Sequence, residues 1–291
     1  MKKILVLTDF SENSVHAAAF AQVLAKQLHT GLLLYHVVQS IPFVPNYAGG
    51  GFVTETENLF AEDSRTQLVE LRDKLLAGRE DAASMDILTA EGDLGSNVKQ
   101  LLQDSPIELI VMGAPESSVA DHLLTGSETR TVIRSSERPV LVIPMCMPVK
   151  AISNFVLATD YRSEDLSVLR YLSKWAMKVD GRLDVVHVQT NGEVAALNGQ
   201  QRQIFEFFLN NLEFDNYQCH DLHGKNIQER LHRFCADKKA DVLAMINYHH
   251  DFFSRLLGSS HTFKALHHLQ LPILVFPANF TDVAAPSEQP R

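Results

Sequence analysis

Four residues of this chain have the types and spacing to hold a phosphorylated ligand: Asp9, Gly113, Gly126 and Ser127. Asp9 stands just beyond the apolar run Ile4-Leu5-Val6-Leu7, and Gly113 directly follows Leu109-Ile110-Val111-Met112. Both therefore fall at the ends of expected buried strands, where open α/β sheets take their ligands. A glycine lets a phosphate approach the backbone closely, and the free N–H groups of a helix opening at Gly126-Ser127 favour an anion. Ser127 adds a hydroxyl donor. Asp9 is an acceptor suited to a base or ribose and a poor neighbour for a bare phosphate. The same spacing equally serves a turn-capping aspartate and two loop glycines, and a Gly-x12-Gly-Ser pattern in isolation does not choose between the two.

Other chemistry finds less support. Ser117, Ser118 and Ser127 lie in no Gly-x-Ser-x-Gly elbow, Walker A is absent, and the acidic residues are scattered. His249, His250, His261, His267 and His268 crowd the second half, and histidine is a common zinc ligand. Adjacent histidines on a helix diverge, however, and no His-x3-His or Cys-x-x-Cys frame accompanies them, so no metal site is expected. His36 and His187 read as strand-end packing residues. Binding is expected rather than turnover, and slow nucleotide hydrolysis would need no more than bound water.

The elements that must position these residues alternate. Lys3–Thr8 and Leu32–Val38 are nearly continuous apolar runs, as strands buried on both faces require. Between them Ala17, Phe20, Ala21, Leu24, Ala25 and Leu28 form one helical stripe, with Ser11 as N-cap and Gly31 just past the end. Helix 56–77, strand 84–90, helix 96–103, strand 109–112, helix 127–135 and strand 140–143 complete a doubly wound α/β domain with a five-stranded sheet. Residues 39–58, with two prolines and three consecutive glycines, are a surface loop or a lid over the cleft.

The pattern then repeats. Phe155-Val156-Leu157-Ala158-Thr159-Asp160 echoes residues 4–9, Val186-His187-Val188 echoes Tyr35-His36-Val37, and Pro272–Pro277 echoes Pro139–Pro144. The offset is 151 residues at Asp9/Asp160 and at His36/His187, but 133 at Pro144/Pro277. A duplication this long means two domains of one fold, here residues 1–148 and 149–277, with Pro148-Val149-Lys150 as joint and 278–291 as a flexible tail. The second copy predicts strands at 155–158, 183–188, 216–220, 242–245 and 273–276, and helices at 164–179, 200–212, 226–236 and 259–269.

Composition sets the limits. At 291 residues and 45% hydrophobic, the chain suits two ordinary globular domains. A net charge of −9, concentrated in the first half, weighs against nucleic-acid binding. No apolar run nears the roughly 20 residues needed to span a bilayer, and the first is too short for a signal peptide. Three scattered cysteines fit a reducing compartment, so a cytoplasmic protein is expected.

Taken together, Ile4–Asp9, His36-Val37-Val38, Gly113-x12-Gly126-Ser127 and Pro139–Pro144 resemble the universal stress protein family, and residues 155–277 make the chain similar to its tandem members. The resemblance implies strand order 3-2-1-4-5 in each domain and ATP binding in one subgroup but not in another. It places a nucleotide site in the first domain at Asp9, Val38, Gly113, Glu116, Gly126 and Ser127. The ATP-binding subgroup carries Gly-x2-Gly-x9-Gly-Ser/Thr, and here the middle glycine is Glu116. A carboxylate about 4 Å from a phosphate costs on the order of 4 kcal/mol at an effective dielectric near 20, unless Glu116 points to solvent. In the second copy the place of Gly113 falls at Met245 or Ile246, so that cleft is expected to be without ATP. The final strands, 140–143 and 273–276, are apolar edges expected to pair the two domains within one chain, with homodimers and unidentified protein partners beyond that. The alternative to nucleotide binding is a nucleotide-independent structural or signalling scaffold.

Overall fold

The computed structural model describes residues 2–38, 54–78, 82–114, 127–189, 195–247 and 271–282. The chain forms two compact units, the first made of residues 1–151 with 270–273 and the second of residues 152–269 with 274–291.

The first unit runs β1 (Lys3–Leu7), α1 (Glu12–Leu28), β2 (Gly31–Val38), α2 (Thr54–Leu76), β3 (Met85–Glu91), α3 (Leu94–Asp104), β4 (Ile107–Gly113), α4 (Ser127–Ser135) and β5 (Val140–Ile143). Its strands lie in the order β3-β2-β1-β4-β5, all pairs parallel. Ile4, Leu5 and Val6 are fully buried on successive sides of the sheet, which is why β1 reads as unbroken apolar sequence. Helix α1 covers it with Ala17, Phe20, Ala21, Leu24 and Leu28. The chain leaves β1 in one direction to reach β2 and returns on the other side as β4, so the strand order reverses between β1 and β4.

Ser11 caps α1, its side chain accepting from the Ser14 N–H. Gly31, expected as the stop of α1, instead begins β2. The left-handed position is His29 (φ 52°), and the N–H groups of His29 and Thr30 return to the carbonyls of Lys26 and Ala25. Asp180 and Lys239 close their helices in the same way at φ 49° and 51°.

The second unit runs β6 (Asn154–Ala158), α5 (Asp165–Lys178), β7 (Arg182–Gln189), α6 (Ala195–Asn210), β8 (Tyr217–His223), α7 (Ile227–Lys238), β9 (Val242–Asn247) and β10 (Ile273–Pro277). Its order, β8-β7-β6-β9-β10, is the first unit's order counted within the copy. The expected helix 259–269 lies outside the described residues. The segment beyond residue 277, expected to be a flexible tail, starts anchored. Phe280 packs against Phe276 and Tyr171 at centroid distances of 5.0 and 5.3 Å, and Asp282 pairs with Lys174 at 2.5 Å. Among the described residues, no helix is long and apolar enough to cross a membrane.

Candidate functional site

The turn from β1 into α1 forms the floor of the site, and it is held by a clasp. His36, near the end of β2, donates through Nδ1 to the Thr8 carbonyl at 2.7 Å, which fixes its tautomer. The His36 ring lies 4.6 Å from that of Phe10, whose φ of 65° is rare for an aromatic residue. The Phe10 N–H meets Thr8 Oγ1, and Thr8 Oγ1 lies 3.0 Å from Ser14 Oγ. Just past Thr8, Asp9 accepts at Oδ1 from both the N–H (3.0 Å) and the hydroxyl (2.6 Å) of Ser11. Burial alone would raise the Asp9 carboxyl, but hydrogen bonds from Ser11 and Ser14 hold it below the ordinary aspartate value. Asp9 therefore stays ionised at neutral pH.

Ser11 is thus both the cap of α1 and the anchor of Asp9. Ser11→Ala is expected to cost about 1 kcal/mol through the lost cap. It should also shift the acid limb of stability. A depressed carboxyl stabilises above its unfolded value and loses that contribution as pH falls through the folded one. Without Ser11 the loss begins at higher pH, which acid-unfolding curves of the two proteins will show.

Asp9, Gly113 and Ser127 line one cleft of about 280 Å³, together with Ser14, Val37 and Gly92. The first three are sequence-expected residues that the fold brings together. Gly113 has a different reason to be glycine than ligand approach alone. A Cβ there would sit 2.6 Å from both the carbonyl carbon and the oxygen of Asn13. The first turn of α1 comes down onto the end of β4, and Asn13 Nδ2 seals the contact by donating to the Ala114 carbonyl at 2.8 Å. Val37, the neighbour of the expected Val38, lines the cleft, and the Val38 carbonyl accepts from the Gly92 N–H. Glu116 and Gly126 lie outside the described residues. Thr8, Ser11, Asn13 and Ser14 were missed as cleft residues, although their place after the first strand was the available signal.

The second copy repeats the clasp with altered chemistry. His187 Nδ1 donates to the Thr159 carbonyl at 2.9 Å, and its ring lies 5.1 Å from that of Tyr161, at φ 56°. Here the phenol reaches out, donating to Asp221 at 3.0 Å, and Asp221 also pairs with Arg202 of α6. Strand register fixes the counterpart of Gly113. Ile4 pairs with Leu109 and its repeat Phe155 pairs with Val242, so Gly113 corresponds to Ile246 rather than to Met245. Ile246 is a buried residue, 3% exposed. The repeat also aligns Arg162 with Ser11 and Asp165 with Ser14, so the capping serine is gone. Asp165 instead reaches back to accept from the Arg162 N–H. His249, His250, His261, His267 and His268 lie outside the described residues, and no group of three metal-ligating side chains occurs among the described ones.

Comparison with known proteins agrees with this geometry. Residues 1–144 match the model of the universal stress protein family. The chain is 30% identical over 144 residues to a universal stress protein of Thermus aquaticus, covering 98% of that protein and 49% of this chain. It is 28% identical over 142 residues to one from Methanocaldococcus jannaschii, covering 81% of that protein and 49% of this chain. The crystal structure of a universal stress protein from Archaeoglobus fulgidus shares the fold at a TM-score of 0.73 and 17% identity, over 95% of this chain and 98% of that one. The chain belongs to the universal stress protein family and carries that fold twice in tandem.

Proposed function

We propose that this stress protein works by binding rather than turnover, and that its first unit takes an adenine nucleotide at the carboxyl ends of β1 and β4. The observation that carries this reading is the convergence of Asp9, Gly113 and Ser127 on one cleft at the strand-order reversal. Asp9, held ionised by Ser11, accepts from a ribose or base. The phosphates lie toward Gly113 and the start of α4, where Ser127 and helix N–H groups favour an anion. His36 has its Nδ1 committed to Thr8, so that nitrogen offers no base for hydrolysis.

Mass spectrometry of nucleotides released from freshly purified protein tests this, followed by calorimetry with ATP and AMP. Asp9→Ala is expected to weaken both by about tenfold or more, the worth of a hydrogen bond to a charged acceptor. Glu116→Gly is expected to strengthen ATP while leaving AMP nearly unchanged, because the charge conflict grows with the phosphates. A second reading, a nucleotide-independent scaffold, is favoured by Glu116 standing where the ATP-binding pattern has glycine. It prevails if neither the wild type nor Glu116→Gly binds any nucleotide.

A further inference from the structure

Asp165 is fully buried at the start of α5, and both of its hydrogen-bond donors are uncharged groups. Oδ2 accepts from the Thr159 hydroxyl at 2.5 Å and from the Arg162 N–H at 3.3 Å, while Oδ1 has no hydrogen-bond partner. Other buried carboxylates of this unit are provided for differently. Asp184 faces Arg182 at 2.7 Å and His220 at 2.6 Å, and Asp241 accepts two backbone N–H bonds at 2.9 Å. A dry carboxylate with one orphan oxygen is costly, and taking up a proton removes most of that cost.

We propose that Asp165 makes the second unit proton-responsive: the turn between β6 and α5 is tight while this carboxyl is protonated and loosens when it ionises. The surrounding charges oppose one another. Within the turn, Asp160 opposes ionisation and Arg162 favours it, and these two lie 3.8 Å apart. From β7, His187 stands 3.9 Å from Asp160. From β9, which flanks β6 on its other side, residues Val242–Asn247 offer no titratable group. The dipole of α5 favours the anion, but burial outweighs it and pushes the Asp165 carboxyl up to about 7. A carboxyl raised above its unfolded value of about 3.9 costs nothing below that value. Its penalty grows as pH rises through the window up to about 7 and is complete above it. The first unit has Ser14 at this position, so it lacks the response.

The sole tryptophan of the chain, Trp175, provides the readout. It lies in α5, 4% exposed, with its ring 5.1 Å from that of Tyr171, and so reports on the helix that Asp165 begins. Urea unfolding of the full chain is followed by Trp175 fluorescence at pH 5 and pH 8, for wild type and Asp165→Asn. The wild-type unfolding constant, relative to the variant, is expected to rise by about tenfold or more between the two pH values. Parallel behaviour of the two proteins overturns the proposal. If Asp165→Asn does not fold, carbon-13 NMR of the wild-type carboxyl decides. A titration midpoint above about 6 supports the switch, and one below about 5 overturns it.

Discussion

Gly113→Ala is expected to lower the stability of the first unit by about 3 kcal/mol, because the added methyl would meet backbone and not a side chain that can turn aside. Its Cβ would lie 2.6 Å from two atoms of Asn13 and 3.0 Å from the Ser14 nitrogen, so the first turn of α1 has to lift. Lifting it also breaks the buried bond from Asn13 to the Ala114 carbonyl, worth a further 1 kcal/mol or so. Gly199 of α6 is the control, since nothing stands within 4 Å of a Cβ there. Alanine at that helical position is expected to be neutral or to stabilise by up to about 1 kcal/mol. Urea unfolding by far-UV circular dichroism, with amide hydrogen exchange at Leu5 and Val6, measures the effect. An unchanged midpoint and unchanged exchange in Gly113→Ala would show that α1 does not rest on this glycine.

Glycine at 113 therefore serves the packing of α1 on β4, a tertiary role that the sequence pattern did not announce. Buried parallel strands announce themselves as unbroken apolar runs, and Ser11 before an alanine-rich stripe announces a capped helix. Those signals are local, which is why β1, α1, β2 and β4 could be read directly. What escaped depends on tertiary contacts. The positive φ of Phe10 and Tyr161 follows from the histidine clasp across two strands. Gly31 looked like a helix stop, whereas His29 takes the left-handed turn and Gly31 avoids a 2.8 Å contact with Ser84. Asp165 reads as an ordinary acid at a helix start, and only its burial shows otherwise. Phe280 lay in a segment whose composition suggested disorder, yet two aromatic partners hold it.

The internal duplication supplies its own comparison at the site. Thr8, Phe10, Ser11, Ser14, His36 and Gly113 become Thr159, Tyr161, Arg162, Asp165, His187 and Ile246. The residues that shape the turn are kept or exchanged for another aromatic. The cap, the small hydroxyl and the glycine, which leave room and N–H groups for an anion, are replaced. Tyr161, Asp221 and Arg202 further tie the altered turn to β8 and α6. The two units thus share a scaffold and differ in what the carboxyl end of the sheet can accept.

Ile246→Gly, which restores the first copy's residue, is expected to destabilise the second unit by about 3–5 kcal/mol and to create no nucleotide site. The energetic part follows from burial. Ile246 is 3% exposed, removing such a side chain costs about 2–5 kcal/mol, and glycine in a strand adds a backbone penalty of about 0.5–1 kcal/mol. The functional part follows from the helix start. Helix α1 begins at Glu12, whose repeat position is Ser163, but α5 begins two residues later at Asp165. In the gap the chain makes i→i+3 bonds, from Leu166 to Ser163 and from Ser167 to Glu164. Space opened at 246 therefore meets a displaced helix start and the carboxyl of Asp165, which opposes a phosphate whenever it is ionised. Trp175 fluorescence in urea measures the stability loss, and calorimetry of the full chain with ATP counts the sites. Wild-type stability in Ile246→Gly would contradict the packing argument. A binding stoichiometry one unit above wild type would show that this side chain alone had closed the second cleft.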